Sequence, residues 1–137
     1  MTSKVPQLTT ITVFEGDGSV LVRYDLDSSV PPTNTFLVGF YAVSADGKVR
    51  KQFGIKFLDA QAIALFVFDN DARPQQENFD YVAATNDPNV IMTPYPTKFW
   101  DALGEEPQLR GFLNHDGEDR QTDVVVKVVN RNAEDGR

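Results

Sequence analysis

The sequence predicts an all-β fold, an antiparallel two-sheet sandwich of about eight strands with one short helix. Three observations predict it. Apolar and polar residues alternate at period two over several short runs. Gly, Asp and Pro turn signals punctuate those runs. The candidate core is aromatic and β-branched, with 10 Phe against 2 Met and 1 Trp, and such side chains suit a pleated, half-buried surface. An antiparallel calycin-like barrel is the alternative, because a meander of hairpins also closes into one.

The 137 residues fit one domain, with a loose arm at Met1 to Leu8 and a charged tail at Asn130 to Arg137. Thr9 to Phe14 reads as the first strand, with Ile11 and Val13 on one face. Gly16 and Gly18 mark a turn. Ser19 to Leu26 then alternates cleanly: Val20, Val22, Tyr24 and Leu26 point one way, Leu21, Arg23 and Asp25 the other. Pro31-Pro32 makes the next segment a loop.

Phe36 to Val43 is apolar throughout, so both faces of that strand need cover. Asp46-Gly47 suits a type I′ turn. Lys48 to Leu58 returns with Val49, Phe53, Ile55 and Phe57 inward, Lys48, Arg50, Gln52 and Lys56 outward, and Lys51 as the one breach. Ala62 to Phe68 is a second strand apolar on both sides. Asp69 to Asn78 reads as an exposed loop, Phe79 to Ala84 as a strand, and Val90 to Met92 as a short strand broken by Pro94 and Pro96. The one helix spans Thr97 to Leu103, with Thr97 as cap, Phe99, Trp100 and Leu103 on its apolar side, and Gly104 closing it. Leu109 to Leu113 is a strand, Asn114 to Gln121 an acidic loop, and Thr122 to Val129 the last strand.

Net charge is -7 and the pI about 4.6, which argues against nucleic acid bound by phosphate neutralisation and against docking on anionic membranes. The absence of Cys excludes disulfides, thiolate metal sites and cysteine catalysis. Met1 to Thr12 holds no apolar stretch long enough for a signal peptide, and no run approaches the length of a membrane span, so the expected location is cytoplasmic or particle-associated.

No motif commits the chain to a reaction. His115 is the single histidine and, with a carboxylate beside it, would be the general base of a cavity enzyme. Carboxylates abound in an acidic chain, so their pairing is unspecific. The cluster Asn114 to Asp119, with Asp69, Asp71 and Asp87, has oxygen ligands suited to calcium but lacks the ordered EF-hand pattern; no metal and no cofactor is expected. Tyr81, Tyr95, Phe99 and Trp100 would suit sugar stacking, although Phe99 and Trp100 read more simply as a plug at one end of the core.

The two apolar strands are the strongest lead, because exposed apolar surface marks an interface unless something covers it. The helix and the segment around Pro94, a barrel cavity, or a second subunit are the three candidate covers. The expected interface residues are Leu37, Tyr41, Ile63 and Leu65, with the basic ridge Lys48, Arg50 and Lys56 beside them. The expected function is a non-enzymatic, homo-oligomeric assembly module, for example a structural subunit of a phage virion. A small-ligand or carbohydrate-binding domain, or a cavity enzyme using His115 or a carboxylate, is the alternative.

Overall fold

The clean alternation of Ser19 to Leu26 is realised as a strand whose buried residues, Val20, Val22, Tyr24 and Leu26, all face the core. The computed structural model describes residues 6–16, 18–30, 35–59, 61–69, 75–79, 87 and 89–130. In chain order they form β1 (Leu8–Glu15), β2 (Ser19–Leu26), β3 (Thr35–Val43), β4 (Arg50–Leu58), β5 (Gln61–Asp69), β6 (Gln75–Phe79), β7 (Val90–Pro96), α1 (Thr97–Asp101), β8 (Gln108–His115), β9 (Glu118–Val124) and β10 (Val126–Asn130).

The strands make two sheets, one of four strands in the order β10-β1-β2-β7 and one of six in the order β6-β5-β4-β3-β8-β9. Their inner faces share one core, in which Ile11, Val13, Val22, Val38, Phe40, Ile55 and Leu65 are fully buried. This is the predicted sandwich. Pairing is antiparallel except between β1 and β10, which run parallel. A cluster of rings fills one end: Phe40 stacks on Phe53 at 4.8 Å, and Tyr95 and Trp100 meet Phe53 edge-on. α1 closes that end, with Phe99 and Trp100 buried and the Trp100 indole donating to a Glu15 carboxylate oxygen at 2.6 Å.

Among the described residues, the side chains of Tyr95 and Gln121 make polar contacts between the sheets. The Tyr95 hydroxyl, from β7, donates to the Gly54 carbonyl of β4 at 2.9 Å. The Gln121 side chain, from β9, grips Leu8 of β1 as a strand would, accepting from its N–H at 2.7 Å and donating to its carbonyl at 3.1 Å. Burial pushes the Tyr95 and Tyr24 phenols upward, because an ionised ring has no water to solvate it.

Several elements differ from the sequence reading. Residues 75–78, placed in a loop, form β6 beside β5 together with Phe79, read as the start of a strand. Residues 80–84 lie outside the described set. β7 runs on through Pro94 to Pro96 because it is an edge strand, where a missing N–H costs no ladder bond. Thr97 does not cap α1: it is the first helical residue, Pro96 precedes it, and no side chain caps the helix.

Two of the Asp-Gly pairs, Asp46-Gly47 and Asp116-Gly117, are the reverse of expectation. Asp116 and Gly117 both have positive φ, as a two-residue type I′ hairpin needs, so the expected acidic loop is the tight β8–β9 turn. At Asp46-Gly47 only the glycine has positive φ. The Gly47 N–H closes a turn on the Ser44 carbonyl, while the Ser44 hydroxyl donates to Asp46 and accepts from the Val49 N–H. Finally, Thr122 to Val129 is two strands: at Val125 the chain leaves the six-stranded sheet and enters the four-stranded one.

Candidate functional site

The outer face of the six-stranded sheet is built from cross-strand rows. β3 runs down its middle, flanked by β4 and β8, with β5 beyond β4. Period two sends Phe36, Val38, Phe40 and Ala42 inward, leaving Leu37, Gly39, Tyr41 and Val43 outside. Register then aligns four residues per row: Asn114, Leu37, Lys56 and Ala64; Phe112, Gly39, Gly54 and Phe66; Arg110, Tyr41, Gln52 and Phe68. A last row holds Gln108, Val43 and Arg50.

The glycine row explains much of the apolar excess. A Cβ on Gly39 would strike the Phe53 carbonyl oxygen and come 2.7 Å from the Phe112 ring; a Cβ on Gly54 would come 2.6 Å from the Phe66 ring. Phe112 and Phe66 therefore lie over the two bare glycines from either side. They are only 3% and 6% exposed although they point away from the core. The chain covers the centre of this face with its own rings, a solution outside the three foreseen. α1 sits at the end of the sandwich and packs on β2 and β7 instead.

What stays open surrounds that covered centre. Tyr41 is 37% and Ile63 53% exposed, and Leu37, Val43 and Phe68 are half-buried. Ile63 stands out because a bulge opposite Lys56 and Phe57 leaves it unpaired. Tyr41 tilts against Phe112 at 4.8 Å, and the Arg110 guanidinium lies over the Tyr41 ring at 5.6 Å, a geometry that attracts a cation to the π face. Tyr41 and Arg110 of this stack line a groove of about 380 Å³ together with Val43, Arg50, Lys51, Gln52 and Phe68. Its chemistry is aromatic and cationic. It suits an acidic protein surface or a small anionic ligand.

Of the expected interface residues, Leu37, Tyr41, Arg50 and Lys56 share this face and Ile63 borders it. Lys48 lies in the β3–β4 turn, before the strand begins. Leu65 does not belong: it pairs with Ile55, points inward and is 0% exposed. The stacking platform is not assembled either. Tyr95, Phe99 and Trp100 are core rings, 1%, 6% and 5% exposed, and Tyr81 lies outside the described residues. His115 ends β8, half-buried, with its ring edge-on to Phe36 at 6.4 Å. In the adjoining turn Asn114 spends its amide on Asp119 and the Gly117 N–H. Among the described residues no group of three acidic or histidine side chains could hold a metal, and no helix is long and apolar enough to cross a membrane.

Sequence reasoning missed Phe112, Arg110 and the Gly39–Gly54 pair. The signal was present: a glycine in the middle of each of two adjacent strands marks a close approach. Set against protein families, curated proteins and solved structures, the chain finds no match. What fold and face define together is a class, a β-sandwich with one outer sheet face that is partly apolar and positively charged.

Proposed function

We propose that the domain is a non-enzymatic assembly module, a homo-oligomeric structural subunit of a larger particle such as a phage virion, and that it associates through the outer face of its six-stranded sheet. One observation carries the reading. On that face Leu37, Tyr41 and Phe68, with Ile63 at its border, leave apolar surface open around rings packed over glycines. An apolar face rimmed by Arg resembles interfaces, which are enriched in aromatic residues and Arg. Light scattering on a sizing column tests it. The protein is expected to elute above its 15.3 kDa monomer mass, and a Tyr41→Asp/Ile63→Lys variant to return to that mass. A strict monomer at millimolar concentration would remove the proposal.

The groove lined by Tyr41 supports a second reading. Its volume, about 380 Å³, falls in the range of small-molecule sites, and an anionic ligand would suit Arg110. Calorimetric titration with a panel of small carboxylates and acidic sugars separates the two: saturable binding to a monomer favours the ligand site.

A further inference from the structure

We propose that the surface received by this sheet face is the acidic end of a second copy of the same chain, in a two-fold arrangement that places each copy's cationic groove on the other's acidic end. The inference rests on the assembly reading and specifies its contact.

The argument begins with charge. The described outer side chains of β3, β4, β5 and β8 include three cations, Arg50, Lys56 and Arg110, and no carboxylate; on this face β9 adds Asp119, beside Asn114 at the other end of β8 from the Val43–Arg50 row. On a chain of net charge -7 this is a local inversion. The carboxylates gather next door. Where β3 and β4 leave the Val43–Arg50 row they enter the Ser44–Val49 turn, and this turn faces the end of α1 across a groove of about 330 Å³ that includes Asp46, Asp101 and Glu105. Those three residues and the following Glu106 are exposed, so the end stays net negative despite Lys48 and Lys98. Asp46 is held below the usual carboxylate range by the Ser44 hydroxyl and then by the Lys48 N–H, which keeps it charged.

Adjacency gives the symmetry. Two complementary patches side by side on one chain are brought onto each other by a two-fold axis between them, so both charge contacts form at once and the assembly closes. Area points the same way. Four strands about 4.8 Å apart, with residues rising about 3.4 Å, give the face a flat projection of roughly 450 Å², and a stable interface buries roughly 800 Å² per partner. The face alone falls short, whereas the face with its adjoining end approaches that size.

A charge-swap experiment tests the contact. One variant, Arg50→Glu/Arg110→Glu, makes the groove net acidic against the remaining Lys51; the other, Asp101→Lys/Glu105→Lys, makes the end basic. All four positions are exposed, and circular dichroism checks that each variant is folded. In sedimentation velocity the wild type is expected as a dimer that weakens with salt. Each variant alone is expected to dissociate at least about tenfold more readily, because it opposes like charges. An equimolar mixture of the two restores the dimer, since every contact in the mixed pair is again between opposite charges. If the wild type associates but the acidic-end variant associates equally well, the contact proposed here is wrong and the assembly reading stands. If the wild type is a monomer throughout, the assembly reading falls and takes this contact with it.

Discussion

The two sheets share a core but differ in what their outer faces require. On the four-stranded sheet one outer row reads Lys127, Thr12, Arg23 and Met92. Here Lys127 is exposed and the other three are half-buried, and Arg23 pairs with Asp25 at 3.0 Å while both side chains stay partly exposed. On the six-stranded sheet the corresponding middle row is Phe112, Gly39, Gly54 and Phe66. There the rings fold back onto the backbone. An outward-pointing Phe is thus as dry as a core residue when its neighbour has no side chain. The lesson is that an apolar residue on the solvent side of a strand is not evidence of an exposed patch until its cross-strand partner is known.

Four substitutions sharpen the comparison, beginning with the largest effect. Gly39→Val should abolish folding or cost more than about 4 kcal/mol in urea denaturation, because its Cβ meets backbone on the partner strand. A loss under about 1 kcal/mol would show that the row is not close-packed. Phe112→Ala should cost about 3 kcal/mol, the range of a buried core Phe; a surface-like value near zero would erase the difference between the two faces. Tyr95→Phe, at the contact between the sheets, removes the hydrogen bond to Gly54 and should cost about 1 kcal/mol. Arg23→Ala on the four-stranded sheet should change stability by no more than about 0.5 kcal/mol.

The buried phenols add a pH limit. Tyr24 and Tyr95 lie above the ordinary 10.0 in the folded state. Their contribution is complete below the unfolded value of 10.0 and is lost as pH rises through the folded values. Stability should therefore hold at neutral pH and fall in strong alkali. Ultraviolet titration should show these two tyrosines ionising together with unfolding; early, reversible ionisation of both would contradict their burial.

The legible parts of the fold were those where chemistry is local. β2 and β4 could be read from alternation alone, because water on one side and core on the other imposes it. The sandwich followed from such strands and their turns. The two Asp-Gly turns could not be ranked, since the dipeptide permits positive φ while the flanking residues set loop length. Ser44, by bonding its own turn, favours the longer connection at Asp46. The step at Val125 left no signal, as valine suits both sheets equally. At the candidate site Tyr41 and Arg50 were found from pattern, because an apolar strand beside a basic one is visible in one dimension. Phe112 and Arg110 were not, for β8 reaches β3 from more than sixty positions away only through register. Leu65 was misplaced for the same reason: which side of a strand apolar on both faces is the inner one depends on its partners. Tyr95 was misplaced because the two prolines hid the continuation of β7 that turns it inward.

The parallel pairing of β1 with β10 also sets a clock. Leu8 and its partner Gln121 are 113 residues apart, and β10 comes later still. At a synthesis rate of about 5–20 residues per second, β1 waits on the order of ten seconds for its second neighbour. Through that interval one edge of the first hairpin has no strand beside it. The most exposed moment in the life of this domain therefore falls before its last strand has been made.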